Sequence, residues 1–240
     1  MGIIRRYRTA LSRHHRSKGH GIHSPFAFHF VRFVLREKLP YYSYNELASI
    51  RQAIVHLLRG SKNHPRVISL KGLKLVFRVT NFFNPASILQ IGTNYGLTEA
   101  CMLSVADGSR LWLYDPHLDA YPVTGTVLAP LLERIECFND LAVALDDYAG
   151  GVSATGSTPY VLVNSIPAAD DLPALQQSLL KMLGGDSVIM LRNIHRSNEM
   201  KRLWKFLEDN QPKGQSFTNE KTAVLVSRPK LNREQFFLWF

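Results

Sequence analysis

Two hydrophobic patterns divide the chain near residue 84. Up to that point, apolar residues recur three or four positions apart, which predicts amphipathic helices. From Ser87 onward, short apolar runs of strand length alternate with stretches long enough for crossover helices. The predicted strands are 87–92, 110–115, 134–138, 160–164 and 187–191, and the predicted helices between or after them are 97–105, 140–149, 170–183 and 197–209. We therefore predict helices over 1–84, followed by an α/β domain over 85–240 with a doubly wound, mostly parallel sheet.

The last part of the chain departs from this alternation. Residues 215–228 contain two strand-like runs around Asn219-Glu220-Lys221, with no room for a helix between them, which predicts a terminal antiparallel hairpin. The hairpin brings the predicted sheet to seven strands. Residues 236–240 are all apolar, so we expect them to be buried against their own domain or against a second copy in a homodimer.

The N-terminal region shows helix start and stop signals. A polar break covers residues 14–21, and Ser24-Pro25 then resembles an N-cap followed by proline at the first helical position. The aromatic and aliphatic stripe behind it is expected to pack in the core, and it consists of Phe26, Phe30, Phe33 and Val34. Two further helices are predicted over 45–59, ending at Gly60, and over 66–83.

The net charge of +10 is concentrated at the N-terminus. Residues 1–36 contain eight Arg and Lys residues and no Asp or Glu, whereas the two signs nearly balance in the rest of the chain. A basic arm of this kind is able to attract the phosphates of nucleic acid or an anionic surface. A solvated helix face that keeps the protein in solution is the alternative interpretation.

Localisation follows from what the sequence lacks. No apolar run approaches the roughly 20 residues that a membrane-spanning helix needs, and the N-terminus has no apolar segment typical of a secretory signal. Cys101 and Cys137 lie among apolar residues and are expected to be buried thiols in a reducing compartment. These observations predict a cytoplasmic protein.

A glycine turn and an acidic residue form the first candidate site. Gly92 and Gly96 follow a buried strand and precede a helix, where glycine permits a tight turn and a close approach of the backbone to a ligand. Asp115 ends the next strand, and a carboxylate about 20 residues after such a turn can accept hydrogen bonds from ribose hydroxyls. Together they indicate a nucleoside-containing cofactor, although each alone is also explained as a structural turn.

Three segments resemble the class I S-adenosylmethionine-dependent methyltransferases, in particular a bacterial O-methyltransferase-like branch. They are HGIHSPFAFHFV (20–31), ILQIGTNYGLT (88–98) and IMLRNIHRSNEMKRLW (189–204). The resemblance implies a Rossmann-like methyltransferase fold and S-adenosylmethionine as the cofactor. The cofactor-binding residues that it implies are Gln90, Gly92, Thr93, Gly96, Asp115, Asn139, Asp140 and Asn164. Among them, Asp115 is expected at the ribose and Asn139-Asp140 near the adenine, with an N-cap role as the alternative for Asp140.

The sequence departs from that family where the family carries acidic residues. Gln90 replaces an acidic residue that faces the ammonium of the cofactor, Asn164 replaces an aspartate, and Arg192-Asn193 replaces a pair of aspartates. Magnesium and calcium prefer carboxylate oxygens, which these residues do not supply. We therefore predict no catalytic metal.

Two residues of the third segment are candidates for catalysis. His195 is able to act as a general base near neutral pH, with a capping or packing role as the alternative. Arg192 is able to pair with an acidic substrate.

Three functions are compatible with these features. The first is metal-independent methylation of a small molecule, at oxygen, by a methyltransferase that uses S-adenosylmethionine. The second is a catalytically inactive binding or regulatory protein with the same fold, which the lost acidic residues favour. The third is methylation of nucleic acid held by the basic arm.

Overall fold

The computed structural model of the chain describes residues 13–14, 16–59, 64, 66–120 and 122–240. Predictions on residues 1–12 and on Gly60 lie outside this part of the chain. Within it, eight strands form one sheet. They are β1 (Ser87–Ile91), β2 (Arg110–Tyr114), β3 (Ile135–Phe138), β4 (Tyr160–Val163), β5 (Ser187–Arg192), β6 (Gln215–Thr218), β7 (Thr222–Ser227) and β8 (Glu234–Phe237).

The sheet is doubly wound, as the sequence predicts. Its strand order is β3-β2-β1-β4-β5-β7-β6-β8, in which β1 to β5 run parallel and β7 runs antiparallel to both β5 and β6. The chain moves outward in one direction from β1 to β3 and then crosses back to β4. This reversal leaves a crevice at the carboxyl ends of β1 and β4, which is the usual place for a ligand in such a sheet.

The predicted strand count of seven is wrong, because the apolar tail contributes an eighth strand. β8 pairs in parallel with β6, from Gln215 opposite Glu234 to Thr218 opposite Phe237. Side chains of a strand alternate between faces, so only every second residue of the tail is covered. Phe236, Leu238 and Phe240 are buried, whereas Phe237 and Trp239 are 40% and 54% exposed. The expectation that the whole tail is buried within the chain is therefore corrected.

Helices cover both faces of the sheet. They are α1 (Pro25–Phe30), α2 (Ser43–Leu57), α3 (Leu70–Phe83), α4 (Leu97–Leu103), α5 (Pro122–Leu128), α6 (Leu141–Thr155), α7 (Leu172–Leu183) and α8 (Asn198–Asn210). Residues of α1 to α5 share one apolar cluster with one face of the sheet, and residues of α6 to α8 form a second cluster with the other. Within the described residues, every helix is too short or too polar to cross a bilayer.

The start of α1 confirms the predicted cap. The Ser24 hydroxyl accepts a hydrogen bond from the backbone N–H of Ala27, and Pro25 is the first helical residue. The chain then continues through one π-helical turn, Val31–Leu35, whose last carbonyl groups accept hydrogen bonds from the Arg78 guanidinium. The turn rotates Phe33 outward, and its side chain is 55% exposed, so its predicted place in the core is wrong.

The two cysteines differ in their surroundings. Cys101 is buried on α4, as expected, and burial raises the pKa of its thiol. Cys137 is exposed, which corrects the prediction of a buried thiol. The reason is that β3 lies at the edge of the sheet, where Glu136 and Cys137 are left uncovered.

Candidate functional site

The loop between β1 and α4 forms one wall of the candidate site. The backbone N–H of Gly92 donates to the Tyr114 carbonyl at 2.8 Å, which extends the pairing of β1 and β2 by one residue. The next N–H, of Thr93, donates to Asp115 Oδ2 at 2.8 Å. The Thr93 hydroxyl accepts from the N–H of Gly96 at 3.3 Å and donates to Glu99 Oε1 at 2.6 Å. The loop is thus held by both the second strand and the following helix.

Gly92 and Gly96 are required for reasons of backbone geometry and packing. Their φ angles are +73° and +77°, a region that favours glycine. A Cβ at Gly92 would lie 2.4 Å from Ser165 Oγ, and one at Gly96 would lie 2.8 Å from Val127. The space beside each glycine is therefore filled by the protein itself. The glycines thus shape the tight turn that the sequence predicts, and the adjacent residues Thr93 to Tyr95 line the crevice at the carboxyl ends of the strands.

Asp115 stands at the mouth of the loop. Its Oδ2 accepts the Thr93 N–H, and its Oδ1 accepts the backbone N–H of His117 at 2.9 Å. These two bonds fix the carboxylate in one orientation. Each carboxylate oxygen has a second acceptor position, and the half-buried side chain lines the cavity. Asp115 is therefore oriented to accept hydrogen bonds from a ligand hydroxyl.

A cavity of about 510 Å³ lies at the carboxyl ends of β1, β2, β4 and β5. This size is typical of sites for small molecules. Its walls come from the loop after β1, from Asp115 and His117, from residues 164–167 after β4, and from the turn after β5. The charged side chains on its walls are Asp115, Glu199, Arg192 and Arg196. The cavity thus presents two carboxylates and two guanidinium groups in the crevice that the topology creates.

A buried layer of polar side chains lies beneath the loop. Its members lie at the carboxyl ends of β1, β4 and β5 and in the first turn of α4, and they are Gln90, Asn164, Arg192, Thr98 and Glu99. The Thr98 hydroxyl accepts from Gln90 Nε2 at 3.0 Å and from Asn164 Nδ2 at 2.9 Å, and it donates to Glu99 Oε2 at 2.9 Å. Gln90 and Asn164 also donate to the Gly92 carbonyl, at 3.0 and 2.9 Å. The layer therefore fixes the turn from the inside.

Arg192 completes this layer with a buried charge. Its guanidinium donates to Asn164 Oδ1, and the residue is 7% exposed. Burial lowers the pKa of Arg192 to about 10, against the opposing effect of the Glu99 carboxylate. The group stays protonated at neutral pH. It acts as a fixed positive charge and not as a base.

Glu99 is the buried carboxylate that interacts electrostatically with this cation. It has no exposed surface, and desolvation raises its pKa, against hydrogen bonds from Thr93, Thr98 and Gln90 that lower it. Glu99 is not among the residues predicted from sequence, because an acidic residue in the first turn of a helix is ordinary on a surface. The sequence signal for its burial is the adjacent Thr98 and the turn at Gly96, because the helix that begins there has a buried first turn.

The remaining predicted residues lie outside the 510 Å³ cavity. Gln90 is fully buried below the loop and does not reach the cavity wall. Asn139 and Asp140 are exposed beyond β3, and the Asp140 carboxylate caps α6 by accepting the Val143 N–H at 3.1 Å. His195 is exposed in the turn after β5 and lines a neighbouring cavity that also contains Arg192. The structure brings together Thr93, Asp115, Asn164 and Arg192 at the first cavity.

Three further residues of the site were not singled out by sequence. Asn94 ties the loop to the segment before α3, since its Oδ1 accepts the Ile68 N–H and its Nδ2 donates to the Arg66 carbonyl. Arg196 and Glu199 line the cavity from the start of α8. Their sequence signal is their position within the segment 189–204, in which charged residues are frequent.

The positions where the resembling family carries acidic residues hold no carboxylate pair. Asn164 and Arg192 are bonded to each other, and Asn193 adopts a left-handed conformation with φ of +55° beside them. Among the residues that the structure describes, no group of three His, Cys, Asp or Glu side chains is placed to hold a metal ion.

Comparison with known proteins identifies the fold. The sequence matches no protein-family model and no curated protein. Among solved structures, the O-methyltransferase from Bacillus cereus in complex with S-adenosylhomocysteine has a TM-score of 0.53 at 17% identity, covering 81% of this chain and 96% of that one.

Two other solved structures are similar to the same extent. The O-methyltransferase TomG from Streptomyces achromogenes, involved in tomaymycin synthesis and in complex with S-adenosylmethionine, has a TM-score of 0.52 at 15% identity, covering 81% of this chain and 92% of that one. A methyltransferase from Geobacter sulfurreducens has a TM-score of 0.53 at 12% identity, covering 79% and 92%. At these identities, the likeness shows that the chain has the fold of these methyltransferases.

Proposed function

We propose that this protein binds S-adenosylmethionine in the 510 Å³ cavity and transfers its methyl group to an oxygen of a small molecule, without a catalytic metal. The observation that carries the proposal is the bond from the Thr93 N–H to the Asp115 carboxylate at 2.8 Å. It places an oriented acceptor for ribose hydroxyls against the glycine turn, at the switch point of the sheet. The ligands of the structural neighbours TomG and the Bacillus cereus enzyme support the same choice of cofactor.

The chemistry of the cavity fits this cofactor. Asp115 offers free acceptor positions for the ribose. Arg192 and Arg196 are cations on the same cavity wall, suited to the carboxylate of the methionine part, and Glu199 is suited to its ammonium group. The predicted cofactor residues Gln90, Gly92 and Gly96 act in this proposal by shaping the loop, and Asn164 acts by orienting Arg192.

The reaction requires little from the protein besides positioning. S-adenosylmethionine supplies a methyl group on a positively charged sulfur, which a correctly aligned oxygen can attack. His195 is the proposed acceptor of the proton that the attacking hydroxyl loses, because it lines the neighbouring cavity whose wall also contains Arg192. Arg192 stabilises negative charge on that oxygen, since it remains protonated at neutral pH.

Isothermal titration with S-adenosylhomocysteine tests the cofactor site. We expect binding by the unaltered protein and a loss of at least about tenfold in affinity for Asp115→Ala, which removes the ribose acceptor and the anchor of the Thr93 N–H. Asp119→Ala is the matched control, because Asp119 is an exposed carboxylate that does not line the cavity. Equal affinities for the two variants, or no binding by the unaltered protein, would contradict the proposal.

The inactive binding protein remains the second candidate, and one observation favours it. Asn164 and Arg192 are hydrogen-bonded to each other, so the side chains at these two positions already have a partner within the protein. Binding of S-adenosylhomocysteine with no methyl transfer to a panel of hydroxylated small molecules, with or without added Mg²⁺, would select this candidate. Stimulation by Mg²⁺ would contradict metal independence.

Four further predictions from the sequence are proposals as well. They are the division into helices over 1–84 and a catalytic domain over 85–240, a cytoplasmic location, a homodimer, and contact of residues 1–36 with nucleic acid or an anionic surface. Part of the basic arm is already engaged within the chain, because Arg13 pairs with Glu220 at 2.6 Å and Arg36 donates to the Ser17 carbonyl at 2.7 Å. The nucleic-acid methyltransferase is accordingly the third candidate.

A further inference from the structure

A second cavity, of about 600 Å³, adjoins the proposed cofactor cavity. The two share Arg192, Asn193 and Arg196 on their walls. The other walls of the second cavity come from the segment before α3, the turn after β5 and the tip of the β6–β7 hairpin. A molecule in this cavity would therefore meet one in the cofactor cavity across the Arg192 side chain.

The second cavity is strongly basic. Its cationic lining residues are Arg66, Lys71, Arg78, Arg192, Arg196 and Lys221. Its one acidic lining side chain, among the described residues, is Glu220, which is paired with Arg13 at 2.6 Å. His195 also faces the cavity, as does Phe240, whose main-chain oxygen accepts a hydrogen bond from Asn219.

Two of these cations are already used by the fold. Arg78 donates to the carbonyl groups of Val34 and Leu35, and Arg192 donates to Asn164. The side chains of Arg66, Lys71, Arg196 and Lys221 make no ion pair with any described residue, and all four are exposed. Four like charges around one cavity repel each other, and a bound anion removes that repulsion.

We propose that the methyl acceptor is an anionic small molecule whose phosphate or carboxylate group is held in this second cavity by Arg66, Lys71, Arg196 and Lys221. This inference rests on the proposed function, since it names the substrate class of that site. The anionic group anchors the acceptor at the cavity wall, and its hydroxyl lies at the junction with the cofactor cavity, beside Arg192 and His195. The hydroxyl oxygen forms the bond to the methyl carbon, the electrons of the broken carbon–sulfur bond remain on sulfur, and the proton passes to His195.

The test uses two probes of the shared chemistry, inorganic pyrophosphate for phosphates and citrate for carboxylates. Each is titrated calorimetrically at low salt into the full chain, with and without saturating S-adenosylhomocysteine. We expect at least one probe to bind in the presence of S-adenosylhomocysteine, and its affinity to fall as salt is added. The probe that binds more tightly indicates whether the acceptor carries a phosphate or a carboxylate group.

Charge removal then locates the site. Arg196→Ala and Lys221→Ala are each expected to weaken binding of the probe by about tenfold, whereas the controls Arg202→Ala and Lys181→Ala, which remove exposed cations outside the cavity, leave it unchanged. All four side chains are exposed, so the variants should fold, which circular dichroism verifies.

Several results would overturn the inference. These are binding of neither probe, equal weakening by the control variants, or displacement of the probe by S-adenosylhomocysteine, which would place the anion in the cofactor cavity. Binding of a ten-nucleotide RNA alone, weakened by the same two variants, would assign the cavity to nucleic acid instead. Failure to bind S-adenosylhomocysteine contradicts the proposed function separately, because pyrophosphate binding that Lys221→Ala weakens would still identify the anion site, since Lys221 lines the second cavity and not the cofactor cavity.

Discussion

The Arg192 guanidinium donates a hydrogen bond to Asn164 Oδ1, and the two residues leave the ends of neighbouring parallel strands on the same face of the sheet. Both are nearly completely buried. The Glu99 carboxylate, in the first turn of α4, interacts electrostatically with this buried cation and opposes the effect of burial on its pKa. Asn164 and Arg192, bonded to each other, thus stand where the resembling family carries aspartates.

Replacement of Arg192 by methionine should destabilise the fold. It leaves Asn164 Oδ1 without its charged donor and removes the cation that interacts electrostatically with Glu99, and the loss of a buried hydrogen bond to a charged group costs about 1.5–3 kcal/mol. The double variant Arg192→Met/Glu99→Gln should recover most of this loss, because it removes both charges. Urea unfolding measures the difference, with exposed Arg196→Met as the control. Strictly additive losses in the double variant would show that the two charges do not interact.

Glu99 should give the unfolding free energy a distinctive pH dependence. Its pKa in the folded state is raised by burial, so at a pH between the unfolded and folded pKa values the native state holds more protons than the unfolded one. The contribution of Glu99 to stability is full below the unfolded pKa and is lost as pH rises through the folded pKa. Glu99→Gln lacks this contribution, so its stability relative to the unaltered protein should increase as pH is raised from about 4 to 7. Urea unfolding across that range checks the slope, and parallel curves would contradict the burial of an ionisable Glu99.

Placing at position 90 the acidic residue that the resembling family carries should not raise the affinity for the proposed cofactor. Gln90 is buried below the loop, donates to Thr98 and Gly92, and lies in the same layer as Glu99. Gln90→Glu exchanges a donor for a second buried carboxylate and should cost about 2–4 kcal/mol of unfolding free energy, with no tighter binding of S-adenosylhomocysteine. Gln177→Glu, on the exposed face of α7, is the control. Tighter binding by Gln90→Glu would show that this side chain reaches the ligand.

The four inner parallel strands, β1, β2, β4 and β5, could be predicted from sequence because both of their faces are buried. The ends of a continuous apolar run mark the ends of the strand closely. The run predicted over 87–92 corresponds to β1, Ser87–Ile91. β8 was missed because its strand character depends on pairing with β6, whereas the sequence there reads as a uniformly apolar tail. The exposure of Cys137 has the same origin, since edge position is set by the order of strands and not by local sequence.

Only those parts of the candidate site that depend on nearby residues of the chain could be predicted from sequence. The glycine turn and Asp115 lie at strand ends, and those positions follow from the strand pattern. The partnership of Glu99 with Arg192 joins distant parts of the sequence, and the second cavity collects its cations from three separate segments. Such assemblies depend on the packing of helices against the sheet, which periodicity does not specify.

Gly92 provides the sharpest test of why the turn contains glycine. A Cβ at this position would lie 2.4 Å from Ser165 Oγ and 2.9 Å from the Ser165 carbonyl oxygen, and the φ angle is +73°. Gly108 has a similar φ of +74° with nothing within 4 Å of an added Cβ, so Gly108→Ala measures the backbone strain alone, about 1 kcal/mol. Gly92→Ala adds a contact with main-chain atoms and should cost about 2–3 kcal/mol more, with weaker binding of S-adenosylhomocysteine because the Thr93 N–H is displaced from Asp115. Equal losses in the two variants would mean that the segment after β4 yields to the new methyl group, and that glycine is needed there for its backbone conformation alone.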